Sequence, residues 1–100
     1  MDIFKPSLLP TAKATVAATS AALALGKTLT TQDSVRIVCP LSNTGMVFVR
    51  FGLSGAVSTV NEMPIAPGAT EVFYPGAGVT HLATIGTVSD VLYATIGEGE

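Results

Sequence analysis

Few residues in this chain could carry chemistry. His81 is its sole histidine and Cys39 its sole cysteine. A hydrolytic or acyl-transfer site would need His81 as general base beside one of the many serines or threonines. None of those hydroxyls stands in the glycine-flanked elbow that exposes a nucleophile at the top of a strand. His81 sits mid-strand in Thr80-His81-Leu82, where it is either hydrogen-bonded by a neighbour or exposed on the outer face. Cys39 can form no internal disulfide, and its apolar strand run makes it a small buried hydrophobe from a reducing compartment. One histidine, one cysteine and scattered carboxylates make no metal-ligand set. Gly76-Ala77-Gly78 has the look of a phosphate loop, but no helix start follows it to supply aligned N–H donors, so it reads as a turn. The expectation is a protein that is not an enzyme and takes no cofactor and no metal.

The aromatic residues allow one more activity. Phe48, Phe51, Phe73, Tyr74 and Tyr93 could line a sugar-stacking face on a β-sheet. The chain has no Trp, and the competing reading puts Phe51 and Phe73 in the core with Tyr93 at its rim.

Composition limits the class further. Charged residues are 12% of the chain, against roughly 25% in an ordinary soluble domain. The longest stretch without Asp, Glu, Lys or Arg, Val72–Ser89, contains Pro75, several glycines and His81, so it is not a membrane-spanning helix. A small domain this poor in charge either buries part of its surface against partners or carries a neutral Thr/Ser/Gly surface. Lys5, Lys13, Lys27, Arg36 and Arg50 are scattered singly on a chain of net charge −2, which argues against nucleic acid as a partner. Thr15–Gly26 is small and apolar enough to suggest the end of a signal peptide. Asp2, Pro6 and Pro10 do not fit the segment that should precede it, and none is expected.

The elements that would position these residues are strands. Val35–Phe51 reads as two β-strands joined tightly through Ser42-Asn43-Thr44-Gly45. In that reading Asn43 bonds its own backbone and Gly45 takes a positive φ. Val35 and Ile37 flank Arg36, while Val47, Val49 and Phe51 alternate with Phe48 and Arg50, and the spacing of two puts one face on a core. Further strands are expected near Ala14–Thr19, Ala22–Leu25, Thr59–Ile65, Thr70–Tyr74, Val79–Ile85 and Asp90–Ile96. Ala66-Pro67-Gly68-Ala69 carries the type II turn signature. Ala83-Thr84-Ile85-Gly86 recurs as Ala94-Thr95-Ile96-Gly97, as if neighbouring strands met similar environments. Met1–Thr11, with Pro6 and Pro10, is an extended arm whose Ile3, Phe4, Leu8 and Leu9 are apolar enough to contact its own domain or a neighbour. The expected fold is all-β: residues 12–100 form one small β-sandwich or jelly-roll-like domain, preceded by the arm at 1–11.

The order of these motifs carries a resemblance. A Thr/Ala-rich opening strand is followed by Val35-Arg36-Ile37, Ser42-Asn43-Thr44-Gly45 and Val49-Arg50-Phe51-Gly52. Met63-Pro64-Ile65-Ala66-Pro67-Gly68, Glu71-Val72-Phe73 and Gly78-Val79-Thr80-His81-Leu82 come next, before a last strand running into Gly97-Glu98-Gly99. From about Thr15 to Gly99 the chain resembles small proteins encoded among the structural genes of tailed bacteriophages. It is similar in size and β-rich character to capsid decoration (cement) proteins. The resemblance implies a virion protein made in the host cytoplasm that binds the outer capsid surface and bridges capsid subunits. Its implied partners are the major capsid protein and copies of itself, as a homo-oligomer, with no nucleic acid and no membrane. Ile3, Phe4, Leu8 and Leu9 are the interface residues expected on this reading. A carbohydrate-binding module of a phage fibre and a tail or connector component are the alternatives.

Overall fold

The computed structural model of the protein describes residues 5–6, 11–59 and 61–98. Their regular structure is all strand: β1 (Lys5–Pro6), β2 (Ala12–Thr15), β3 (Ala21–Ala24), β4 (Ser34–Val38), β5 (Val47–Gly52), β6 (Met63–Ile65), β7 (Thr70–Phe73), β8 (His81–Ile85) and β9 (Val91–Glu98). All pairings are antiparallel. One sheet runs β2-β9-β4-β7, with β1 continuing along the β2 edge of β9; the other runs β3-β8-β5-β6. From β2 onward every connection except β5–β6 changes sheet. That winding is the jelly roll, the form of sandwich in which strands distant in sequence become neighbours.

The expected β4–β5 hairpin is therefore corrected. β4 pairs with β9 and β7, whereas β5 pairs with β8 and β6 in the opposite sheet. The 39–46 connection crosses the sandwich instead of folding one strand back on the other. A two-residue turn would have fixed a hairpin; a longer link beginning at Pro40 can cover the roughly 10 Å between packed sheets. The duplicated tetrapeptide divides in the same way, because β8 and β9 lie in different sheets. In β9 the core takes Leu92, Ala94 and Ile96, while in β8 it takes Leu82, with Thr84 on the same face. The two copies thus point opposite faces inward.

Period-two alternation builds the core as expected. Ala14, Val35, Ile37, Leu92, Ala94 and Ile96 face Val47, Val49, Ile65 and Leu82 across the sandwich, with Val16, Leu25 and Leu29 filling its ends. Phe51 and Phe73 pack against this cluster with ring centroids 5.8 Å apart in a tilted arrangement. The 66–69 turn forms as its sequence indicates: the Ala69 N–H donates to the Ala66 carbonyl at 3.0 Å, and Gly68 has φ +84°. Pro64 lies in β6, an edge strand, where the ladder can spare its missing N–H. The chain's polar end joins the sheet further than its composition suggests, since β9 continues to Glu98 where Lys5 and Pro6 pair with Glu98 and Gly97.

Leu92 is fully buried in the central strand β9. Leu92→Ala should lower unfolding free energy by about 2–5 kcal/mol through lost burial and a residual cavity. Urea unfolding followed by circular dichroism measures this, and a loss below about 1 kcal/mol would contradict the packing described.

Candidate interaction site

Four sheet-changing connections, 16–20, 39–46, 66–69 and 86–90, gather at one end of the sandwich. Such loops lose strand partners for their backbone groups and must find others. Asp90 supplies much of that need. Its carboxylate accepts the Thr44 N–H at 3.0 and 3.1 Å, the Gly45 N–H at 3.1 Å and the Thr44 hydroxyl at 3.2 and 3.3 Å. Asn43 ties the same two loops from the other side. Its Nδ2 donates to the Val91 carbonyl at 2.7 Å, and its Oδ1 accepts the Val91 N–H at 3.0 Å. The Asn43 side chain thus serves a strand 48 residues away, while its N–H closes a local turn onto the Pro40 carbonyl at 3.0 Å.

Close approach bears on the glycines here. A Cβ on Gly45 would stand 2.8 Å from Thr87 Oγ1, and one on Gly86 would stand 2.8 Å from the Met46 carbonyl oxygen. Gly86 is thus required for space against backbone, whereas a side chain at Gly45 would displace only the exposed Thr87 hydroxyl; Gly45 does not adopt a positive φ. Asn43 Nδ2 also lies 2.9 Å from Cys39 Sγ, within donor range of the sulfur. Burial pushes the Cys39 thiol above its ordinary pKa, against the lowering effect of the Asn43 bond. A buried thiol held protonated is a packing group, not a nucleophile.

This cross-tied end presents apolar side chains to solvent. Leu41 is 82% exposed and Val88 63%, with Met46 also exposed. Leu53 and Tyr74 are exposed where β5 and β7 end, at the opposite pole. There the 25–33 and 74–80 connections are laced together by Leu29 N–H to the Val79 carbonyl (2.8 Å) and Gly78 N–H to the Leu29 carbonyl (2.9 Å). Asp33 closes the first of these loops, accepting from the Thr30 N–H at 2.8 Å and pairing with Lys27 at 3.0 Å. Burial raises the Asp33 pKa, but the Thr30 backbone bond, Lys27 and the Thr30 hydroxyl outweigh it and hold the carboxyl below its ordinary value.

The expected interface residues Ile3, Phe4, Leu8 and Leu9 lie outside the described residues. Of the arm, Lys5–Pro6 is seen on the β9 edge of its own domain. His81 is half-buried on the outer face of the second sheet, with Nδ1 2.8 Å from Thr80 Oγ1. It begins β8, at the pole opposite Cys39, so the two are not brought together. No group of three or more His, Cys, Asp or Glu among the described residues could hold a metal ion. No helix among them is long and apolar enough to cross a membrane. The aromatics are dispersed. Phe48 is on the outer face of the second sheet, Tyr93 on that of the first, and Phe51 and Phe73 lie against the core. Leu41 and Val88 had no periodic signal to mark them, but each is a large apolar residue inside a turn segment, where burial is least available.

Comparison with protein-family models, with curated proteins and with solved structures finds no match to this chain.

Two variants test the loop architecture. Asp90→Ala leaves the Thr44 and Gly45 donors without their acceptor and should cost about 1–3 kcal/mol. Asp90→Asn keeps one carbonyl oxygen and should cost less; equal losses in thermal unfolding would show that the carboxylate's acceptors do not hold the loops. The lowered Asp33 pKa stabilises the fold fully above the unfolded carboxylate's pKa, and that contribution is lost as pH falls through the folded value. Asp33→Asn should therefore flatten the acid limb of the stability curve below about pH 4 and leave its shape near neutrality unchanged. An unaltered acid limb would remove Asp33 from the account.

Proposed function

We propose that the chain is a structural virion protein: a decoration, or cement, protein that binds the outer surface of a phage capsid and bridges capsid subunits. It acts with further copies of itself, is made in the host cytoplasm and works on the assembled particle. The observation that carries this reading is the placement of large exposed apolar residues at both poles of one stiff body. Leu41, Met46 and Val88 stand at one end, and Leu53 and Tyr74 at the other. A bridging protein needs two adhesive ends and a spacer that does not bend, and a sandwich with cross-tied loops meets that requirement. Scattered charge keeps desolvation of these ends cheap. The jelly roll also occurs in viral capsid and lectin domains, which is a likeness of architecture alone. Among the described residues the aromatics are dispersed and offer no single stacking face, which favours the cement reading over a carbohydrate module.

The arm supplies the remaining contact in this proposal. An extended segment with paired prolines can add backbone hydrogen bonds along a sheet edge, and many copies on a symmetric shell make a weak single contact sufficient. Deleting residues 1–11 should abolish binding to heads assembled without the protein, while the remaining domain stays folded by circular dichroism. Leu41→Lys combined with Val88→Lys should also weaken binding. Electron microscopy of mixed particles reads the result directly. Extra density at capsid symmetry positions with the full chain, lost on truncation, is the expected outcome. Undiminished decoration by the truncated chain would remove the arm from the mechanism, and no density with the full chain would overturn the reading.

A further inference from the structure

The sandwich has four sheet edges, and three carry the charges or prolines that usually discourage pairing with another chain. The β2/β1 edge has Lys13 and Pro6, the β7 edge has Glu71, and the β6 edge has Pro64. β3 has none of these. Its sequence is Ala21-Ala22-Leu23-Ala24, and residues 14–26 contain no charged residue and no proline. Among the described residues no strand covers its outer edge.

Its hydrogen-bonding direction follows from one contact. The Leu25 N–H donates to the Thr80 carbonyl at 3.0 Å, which continues the register pairing Ala24 with His81 and Leu23 with Leu82. In an antiparallel ladder, bonded and non-bonded pairs alternate. Leu23 and Ala21 therefore turn their backbone groups toward β8, and Ala22 and Ala24 turn theirs outward. Both alanines are exposed. Leu23 is half-buried on the core side, beside a shallow cleft between β2 and β3 that Lys13 and Ala14 also line.

We propose that β3 is a self-association edge, where a second copy of this chain pairs antiparallel and joins the two four-stranded sheets into one of eight strands. Ala22 of each copy lies opposite Ala24 of the other, and the two Leu23 side chains meet across the two-fold axis. This register satisfies the outward N–H and C=O groups of both alanines reciprocally, as an isologous contact must. It brings no like charges together within the strands, and it closes the cleft with the partner's Leu23. An unrelated peptide could use the same backbone groups but would not bring the matching leucine. One short strand pair buries less than the roughly 800 Å² per partner of a standard stable interface. The pairing is therefore weak in dilute solution and becomes effective where copies are held side by side. The proposal deepens the self-association part of the function proposed above and rests on that reading there alone. Its test contains no heads, so its failure would leave head binding standing.

The full-length chain is examined by sedimentation equilibrium over a wide concentration range, alongside Ala22→Pro, Ala24→Lys and Leu23→Cys. Ala22→Pro removes an N–H that β8 does not use, and Ala24→Lys places a charge on the edge. Each should weaken dimerisation by at least about tenfold while leaving the circular dichroism spectrum unchanged. If the proline variant does not fold, the lysine variant carries the test. In the proposed register the two Leu23 Cα atoms form a non-hydrogen-bonded pair about 4.5 Å apart, within disulfide reach. Leu23→Cys should therefore cross-link to a dimer under mild oxidation, and Ala24→Lys in the same chain should suppress it. Wild-type chain that stays monomeric at every concentration, with no Leu23→Cys cross-link, would overturn the proposal. So would dimerisation or cross-linking that persists unchanged in the folded edge variants.

Discussion

Backbone polar groups withdrawn from water must find partners, and that constraint governs this fold most strictly where the chain leaves one sheet for the other. Four such passages meet at one pole. Neighbouring passages serve one another in part, through bonds such as the Gly86 N–H to the Ala17 carbonyl and the Cys39 N–H to the Ala69 carbonyl, and two side chains serve donors and acceptors that remain. Asp90 takes the donors of the 39–46 passage, and Asn43 binds both backbone groups of Val91. These ties join the passage into β5 to the start of β9. Among the described residues no buried side-chain nitrogen or oxygen lacks a partner.

The same pole combines cross-tied loops with exposed apolar side chains. Gly86 lets its chain segment approach the Met46 carbonyl more closely than a side chain would permit, while Leu41 and Val88 face solvent. An exposed leucine on a mobile loop would lose entropy on binding, whereas one held by a cross-tied loop has already lost much of it. The second sheet is roofed in a related manner. Residues 53–59 fold back so that the buried Ser58 donates its hydroxyl to the Phe48 carbonyl at 2.9 Å and its N–H to Ser20 Oγ at 2.8 Å. That cover is short of the β3 edge, whose Ala22 and Ala24 remain exposed.

Much of the architecture was legible in the residues themselves. Alternation marked Val35, Ile37, Val47 and Val49 as inward, because successive strand side chains point to opposite faces whatever strand lies beside them. The Pro67-Gly68 turn was equally plain, since its dihedral demand is local. The scarcity of catalytic and ligating side chains was a matter of composition. What misled was Ser42-Asn43-Thr44-Gly45, whose turn chemistry is real but whose partner is not adjacent. Pro40 and the length of the connection were the available signals that it does not close a hairpin.

By itself, then, the sequence determined the all-β class, the inward and outward faces of most strands and several of the turns, all of which depend on residues within a few positions of one another. Only the tertiary structure decided which strands are neighbours, that Asn43 and Asp90 tie distant loops, and that β3 is the edge left without a charge or a proline. Strand pairing has no local code: an extended segment offers the same N–H and C=O groups to any partner. The choice among partners is made when two apolar faces must be buried together, and that choice belongs to the whole chain at once.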